Sequence, residues 1–116
     1  MVLSVYRPPA PRAAERRRSP RFACGLRTWA RVHLDGGTVL ASATVRDLSA
    51  GGVCFIVRRC LAPGQVVSVD LFHALRFTAC HAAVRVVAVV EYPDGNFLVR
   101  GAFTRELTLQ EVRELL

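Results

Sequence analysis

Two short clusters of polar residues in this chain of 116 residues carry side chains suited to binding a phosphorylated ligand. The first is an R-x-x-x-R pair, Arg17 and Arg21, in an arginine-rich segment. Guanidinium groups donate paired hydrogen bonds to phosphate oxygens and guanine edges, and their flat faces stack on bases. Three such pairs occur, whereas chance gives about two for so many arginines, so this pair alone also fits a solvated basic loop.

The second cluster is the run D-x-S-x-x-G, from Asp47 through Ser49 to Gly52. Chance gives about 0.01 occurrences in a chain of this composition, so this run is the more specific signal. Asp and Ser side chains hold turns by bonding nearby backbone N–H groups, and glycine lets a backbone approach a ligand closely. Taken alone, the run also fits an ordinary turn that joins two strands.

The sequence offers little for catalysis. Its three histidines lie in strand-like context, and no nucleophile-elbow, zinc-protease or phosphate-loop motif occurs. The neighbours Cys80 and His81 point to opposite faces of a strand, which disfavours a metal or nucleophile site. The four cysteines form no C-x-x-C pair and are interpreted as buried thiols in a reducing cytoplasm. We predict no enzyme activity, no catalytic residue, no metal and no cofactor.

Composition indicates one globular domain with a strongly basic surface. Hydrophobic residues make up 52% of the chain and charged residues 22%, the net charge is +7, and all sixteen basic residues are arginine. Such charge fits nucleic acid, a nucleotide, an acidic protein or anionic lipid. The apolar stretch Ala79 to Val90 contains His81 and Arg85, so no membrane span is expected. No apolar segment typical of a secretory signal opens the chain, and a cytoplasmic location is expected.

The elements that position both clusters are predicted to be strands. Period-two alternation and turn signals give six strands, at about 26–34, 38–46, 53–57, 66–72, 78–92 and 97–103. Thr108 to Glu111 form a capping box, so a helix is expected over 108–116. The predicted fold is all-β, a six-stranded antiparallel β-barrel of split, Greek-key type with a short C-terminal helix. Residues 1–14 are expected to be a flexible Pro/Arg-rich tail, and 15–116 the barrel domain.

In such a barrel the basic loop and the glycine turn can meet at one end. At these residues the chain resembles the PilZ domain family, in Arg17-Arg18-Ser19-Pro20-Arg21-Phe22 and in Asp47-Leu48-Ser49-Ala50-Gly51-Gly52. The late valine-rich strand, the hairpin and the closing run Val99-Arg100-Gly101-Ala102-Phe103 also resemble the family, from about residue 15 to the end. PilZ domains are six-stranded β-barrels that bind the bacterial second messenger cyclic di-GMP.

The resemblance implies a role for each motif residue. Arg17 and Arg21 would bind phosphates, and would stack on guanines or form hydrogen bonds with them. Arg16 and Arg18 would share these contacts or take their place. Asp47, Ser49 and Gly52 would contact a guanine or hold the loop that does. The implied ligand-binding set is Arg16, Arg17, Arg18, Arg21, Asp47, Ser49, Gly51 and Gly52.

The implied protein is a non-catalytic receptor that relays cyclic di-GMP to a protein partner, as a monomer or weak dimer. Two alternatives stay open at this point. One is a basic β-barrel that binds nucleic acid with the same arginines, which their concentration near one motif disfavours. The other is a PilZ-like scaffold that binds no ligand and only mediates protein contacts.

Overall fold

The computed structural model describes residues 20–34 and 39–116. The predicted tail at 1–14 and the predicted site residues Arg16, Arg17 and Arg18 lie outside these residues. Seven strands and one helix are described: β1 (Phe22–Ala23), β2 (Thr28–His33), β3 (Val39–Leu48), β4 (Gly52–Val57), β5 (Val66–His73), β6 (Thr78–Glu91), β7 (Phe97–Phe103) and α1 (Leu109–Glu114). No helix in this part of the chain is long and apolar enough to cross a membrane.

The described strands form one antiparallel sheet in the order β1-β3-β2-β5-β6-β7-β4. A further pairing between β3 and β4 closes six of them into a barrel, and β1 is an extra strand on the end of β3. Strands β2, β3 and β4 are consecutive neighbours, and β5 returns beside β2, which is a Greek-key arrangement. The predicted six-stranded barrel with a C-terminal helix is therefore confirmed.

Strand β1 was not predicted, and β3 is longer than its predicted span. The segment around Phe22 was expected to be loop, but Phe22 pairs with Leu48 and Ala23 pairs with Asp47. Strand β3 continues through Asp47 instead of stopping at Arg46, with a register shift opposite β4 between Val45 and Asp47. A bulge of this kind adds a residue to one strand without ending the pairing. Asp47 is consequently a strand residue, and its pairing with β4 fixes the direction of its side chain.

Alternating side chains of the strands fill the barrel, and one predicted alternation is wrong. On β6, period-two alternation predicts one inward face for Val84, Val86, Ala88 and Val90, and Val84 and Val86 are buried accordingly. A register shift opposite β7 lies between Val86 and Ala88, so the inward position passes to Val89. Val90 is 52% exposed. One bulge thus exchanges the inner and outer faces halfway along the strand.

Helix α1 covers one end of the barrel. The Thr108 hydroxyl accepts from the Glu111 N–H at 3.0 Å, and the Glu111 carboxylate accepts from the Thr108 N–H at 2.8 Å, which is the predicted capping box. Val112 and Leu115 are buried in the core, and the Thr28 hydroxyl donates to the carbonyl of Leu115 at 2.5 Å. The turns at 24–27, 49–51 and 74–77 lie at this same end, because neighbouring strands alternate in direction. We call it the helix end.

The four cysteines are all free but differ in exposure. Cys54 and Cys80 are buried, Cys24 is partly buried, and Cys60 is exposed. Burial is the main cause that raises the pKa of Cys24 to about 11, and the nearby Asp47 carboxylate also raises it. Burial and then Glu111 likewise raise the pKa of Cys80 to about 11. These thiols are neutral at physiological pH, and the thiolate is the reactive form.

We expect iodoacetamide to alkylate Cys60 first in the folded protein. At pH 8 a thiol of pKa about 11 is ionised in only about one molecule in a thousand, so Cys24 and Cys80 react slowly. Mass spectrometry after a short exposure should find one adduct, at Cys60, and Cys60→Ser should abolish it. Equal early labelling of Cys80 would contradict the burial described above.

Candidate functional site

Strand β1 places Arg21 beside the acidic end of β3. Arg21 is exposed and immediately precedes β1, whose residue Ala23 pairs with Asp47. The Cys24 N–H donates to the carbonyl of Arg46 at 2.8 Å, and Phe22 packs against the core. These contacts hold β1 along β3. The two residues that the sequence predicted to converge, Arg21 and Asp47, therefore lie on the same part of the barrel, at its helix end.

Ser49 holds the turn between β3 and β4. Its hydroxyl accepts from the N–H groups of Gly51 at 3.2 Å and Gly52 at 3.1 Å, while its own N–H donates to the Gly52 carbonyl at 2.9 Å. The carbonyls of Ala50 and Gly51 accept from the N–H groups of Leu107 and Phe103, each at 2.9 Å. Of the two roles implied for this serine, contact with a base or support of the loop, the geometry supports the second.

The two glycines of this turn have different reasons to be glycine. A Cβ added at Gly52 would lie 2.5 Å from the carbonyl oxygen of Gly101 on β7, closer than such atoms approach. A Cβ at Gly51 would meet nothing within 4 Å. Neither of the two has a positive φ. The motif alone suggests that glycine here allows close approach of a ligand, whereas at Gly52 the neighbouring strand already requires glycine.

Asp47 heads a row of paired residues on the outer face of the barrel. It pairs with Cys54 on β4, and Cys54 pairs with Arg100 on β7. Val53 and Phe55, on either side of Cys54, point into the core, so Cys54 faces outward although only 2% of it is exposed. Cross-strand partners share a face, which places Asp47 and Arg100 on either side of the thiol.

Four charged groups surround that thiol. Burial raises the pKa of Cys54 first, the Asp47 carboxylate raises it further, and the guanidinium groups of Arg100, Arg46 and Arg21 oppose this rise. We call Cys54 and these four charged residues the arginine surface. Within the described part of the chain, neither the Arg21 guanidinium nor the Asp47 carboxylate forms a hydrogen bond or ion pair. Their donors and acceptors are available to a ligand that carries both phosphate and base.

Two residues of the arginine surface were missed by the sequence analysis. Arg46 and Arg100 belong to neither motif, and both occur in ordinary strand alternation. Only the register across β3, β4 and β7 brings Arg100 into the row of Asp47. Of the predicted site residues, the structure brings together Arg21, Asp47, Ser49, Gly51 and Gly52. Arg16, Arg17 and Arg18 lie outside the described residues.

A polar cluster and an aromatic pair lie on β2, β5 and β6. The Asp70 carboxylate contacts both His33 Nε2, at 2.7 Å, and His81 Nδ1. The rings of Trp29 and Phe72 stack with centroids 4.5 Å apart, a pair that the sequence analysis did not foresee. Among the residues that the structure describes, no three His, Cys, Asp or Glu side chains are arranged to hold a metal ion.

Comparison with known proteins places this geometry in context. The family model for the PilZ domain matches residues 15–116. The PilZ domain with c-di-GMP of YcgR from Escherichia coli superposes with a TM-score of 0.65 at 16% sequence identity, and 86% of each chain is covered. The K. pneumonia MrkH–c-di-GMP complex gives 0.65 at 18% identity, covering 85% of this chain and 48% of MrkH.

MrkH in its apo state gives a TM-score of 0.60 at 14% identity, covering 82% of this chain and 44% of MrkH. The chain thus spans about half the length of MrkH. At these identities the likeness establishes the barrel fold and nothing finer. No curated protein matches the sequence.

Gly52→Ala should destabilise the fold by about 1–3 kcal/mol, because its methyl group would collide with the Gly101 carbonyl. The free energy of unfolding from urea denaturation measures this. Gly51→Ala is the matched control, one position away and in open space, and should change stability by less than about 0.5 kcal/mol. Equal losses in both variants would show that the β4–β7 approach is not what restricts position 52.

Proposed function

The chain belongs to the PilZ domain family, and we propose that it is a non-catalytic bacterial receptor for cyclic di-GMP that acts in the cytoplasm and relays the signal to a protein partner. The observation that carries the proposal is the convergence of Arg21 and Asp47 on the arginine surface. Neither side chain has a hydrogen-bond or ion-pair partner among the described residues. Arg21 offers positively charged donors, and Asp47 offers negatively charged acceptors. The two c-di-GMP-bound structures that share the fold support the choice of ligand.

The chemistry of the arginine surface matches the two parts of this ligand. Cyclic di-GMP carries two negative phosphates and two guanines. Arg21, with Arg17 of the same motif, supplies paired donors for phosphate oxygens or for guanine O6 and N7. The Asp47 carboxylate accepts from the N1–H and N2–H groups of a guanine. Cys54 between Asp47 and Arg100 is a neutral thiol that its neighbours already cover, so the charged groups on either side of it are the ones proposed to contact the ligand.

The remaining motif residues support or extend these contacts. Ser49 fixes the turn before any ligand is present, so this half of the site is preorganised. Gly51 leaves open space above the turn. We include Arg16 and Arg18 as neighbours that share the phosphate contacts, and Arg100 and Arg46 as further donors. No step of chemistry on the ligand is part of the proposal.

Nucleic-acid binding is the weaker alternative. Sequence-tolerant binding of single strands needs aromatic faces on which bases stack. The stacked pair Trp29 and Phe72 is covered by the protein's own Arg31, whose guanidinium carbon lies 4.7 Å from the Phe72 centroid and 5.9 Å from that of Trp29. A nucleic-acid binder would also lose affinity steeply with salt and show little preference for one nucleotide.

Calorimetric titration with cyclic di-GMP should detect binding by the full chain and none by Arg21→Ala or Asp47→Ala. Each substitution removes one partner of a charged contact, which costs about 2–5 kcal/mol. Arg59→Ala is the matched control, since this exposed arginine lies at the opposite end of the barrel, and it should change affinity by less than about twofold. Failure of the folded chain to bind the nucleotide would end the proposal.

Arg100→Ala should weaken binding of cyclic di-GMP by about 1.5–3 kcal/mol, the contribution of a hydrogen bond to a charged group. Arg100→Lys keeps the charge but lacks the planar fork, so an intermediate affinity is expected in the same titration. Unchanged affinity in Arg100→Ala would exclude this residue from the site and leave the roles of Arg21 and Asp47 to their own test.

A further inference from the structure

Two neighbouring turns at the helix end expose three large apolar side chains. Leu26 in the turn before β2 is 93% exposed, and Leu75 and Phe77 in the turn before β6 are 61% and 94% exposed. A single exposed leucine is ordinary in a soluble domain. Three such side chains on adjacent turns form an apolar group that the described residues leave exposed. Exposed apolar groups of this kind mark sites that contact another molecule.

Backbone contacts hold the two turns together. The Ala74 N–H donates to the Arg27 carbonyl at 2.9 Å, and Thr28 pairs with His73 at the adjoining ends of β2 and β5. His73 Nδ1 accepts from the Arg76 N–H at 3.3 Å, and the Thr78 hydroxyl donates to the Arg76 carbonyl at 3.3 Å. The apolar side chains therefore project from a hydrogen-bonded frame on the barrel.

Phe77 is exposed and also has an unfavourable backbone conformation. Its φ of 52° is the one positive value outside glycine in the described chain. For a bulky residue the left-handed region is an outlier that costs energy. With 94% of the residue exposed, no packing contact among the described residues offsets that cost. Strain of this kind concentrates at functional positions.

The charged side chains within the two turns are all positive. Each leucine is followed directly by an exposed arginine, Arg27 in the first turn and Arg76 in the second. The two segments, 24–28 and 73–78, contain no aspartate or glutamate. We call Leu26, Arg27, Leu75, Arg76 and Phe77 the turn surface.

We propose that the turn surface docks the protein on anionic membranes. Leucine and phenylalanine side chains enter the boundary between headgroups and acyl chains, and guanidinium groups bind the headgroup phosphates. A protein-binding hot spot is normally supported by surrounding contacts that exclude water, and Leu26 and Phe77 have almost none. The two arginines of these turns also favour a negatively charged surface. The proposal needs no nucleotide and is independent of cyclic di-GMP binding.

The first test is co-sedimentation of the full chain, without nucleotide, with two kinds of vesicle. We expect binding to an equimolar mixture of phosphatidylcholine and phosphatidylglycerol, weakening as salt rises, and no binding to phosphatidylcholine alone. No binding to the anionic vesicles, or equal binding to both kinds, would overturn the proposal. The first of these results would leave a protein as the occupant of the turn surface.

The second test removes the apolar contacts. The double variant Leu26→Ser, Phe77→Asn should bind anionic vesicles at least about tenfold more weakly. Asparagine tolerates the left-handed region, so this variant should unfold at the same or a higher temperature than the unsubstituted chain. Val66→Thr with Val90→Thr, exposed positions at the opposite end, is the control and should keep full binding. Full binding by the Leu26 and Phe77 variant would overturn the proposal.

The third test separates local charge from net charge. Arg27→Gln with Arg76→Gln should weaken binding about 25-fold, because each basic residue near an anionic surface contributes about fivefold. Arg58→Gln with Arg59→Gln makes the same change in net charge at the opposite end and should weaken binding less than about twofold. Equal losses in the two double variants would show general electrostatic attraction and overturn the assignment to the turn surface.

Discussion

The pairing of β3 with β4 is the contact on which the rest of the molecule depends. It joins the two edges of a six-stranded sheet, so that inward side chains of every strand share one core. A short turn connects these two strands, and the Ser49 hydroxyl stabilises it by accepting hydrogen bonds from two backbone N–H groups. Strand β3 also carries β1, so the position of Arg21 is a consequence of the same closure.

Local patterns in the sequence predicted most of the fold. The capping box at Thr108 and the strand Phe97–Phe103 depend on residues close together in the chain, and both were found. Strand β1, the continuation of β3 through Asp47 and the exchange of faces on β6 were not found. Each of these depends on a bulge or on a partner strand far away in sequence, and no short window contains that information.

The same division holds for the candidate site. The motifs predicted that Arg21 and Asp47 would converge, because a basic loop and a glycine turn at one end of a barrel are neighbours. Arg46, Cys54 and Arg100 could not be predicted, since their proximity is set by register across three strands. Burial keeps the Cys54 thiol neutral. The sequence predicted that this thiol is buried, but not which way it faces. In the structure it faces outward under charged neighbours.

Gly52 shows that packing alone can require one residue of a proposed binding motif. Its hydrogen atom faces the β7 backbone so closely that any larger residue would push two strands of the barrel apart. A relative that binds no nucleotide would therefore still need this glycine, because folding alone requires it. Among relatives, an intact glycine at this position is thus a poor diagnostic of receptor activity. The arginine before β1 and the aspartate at the end of β3, which nothing in the described fold requires, are the informative positions.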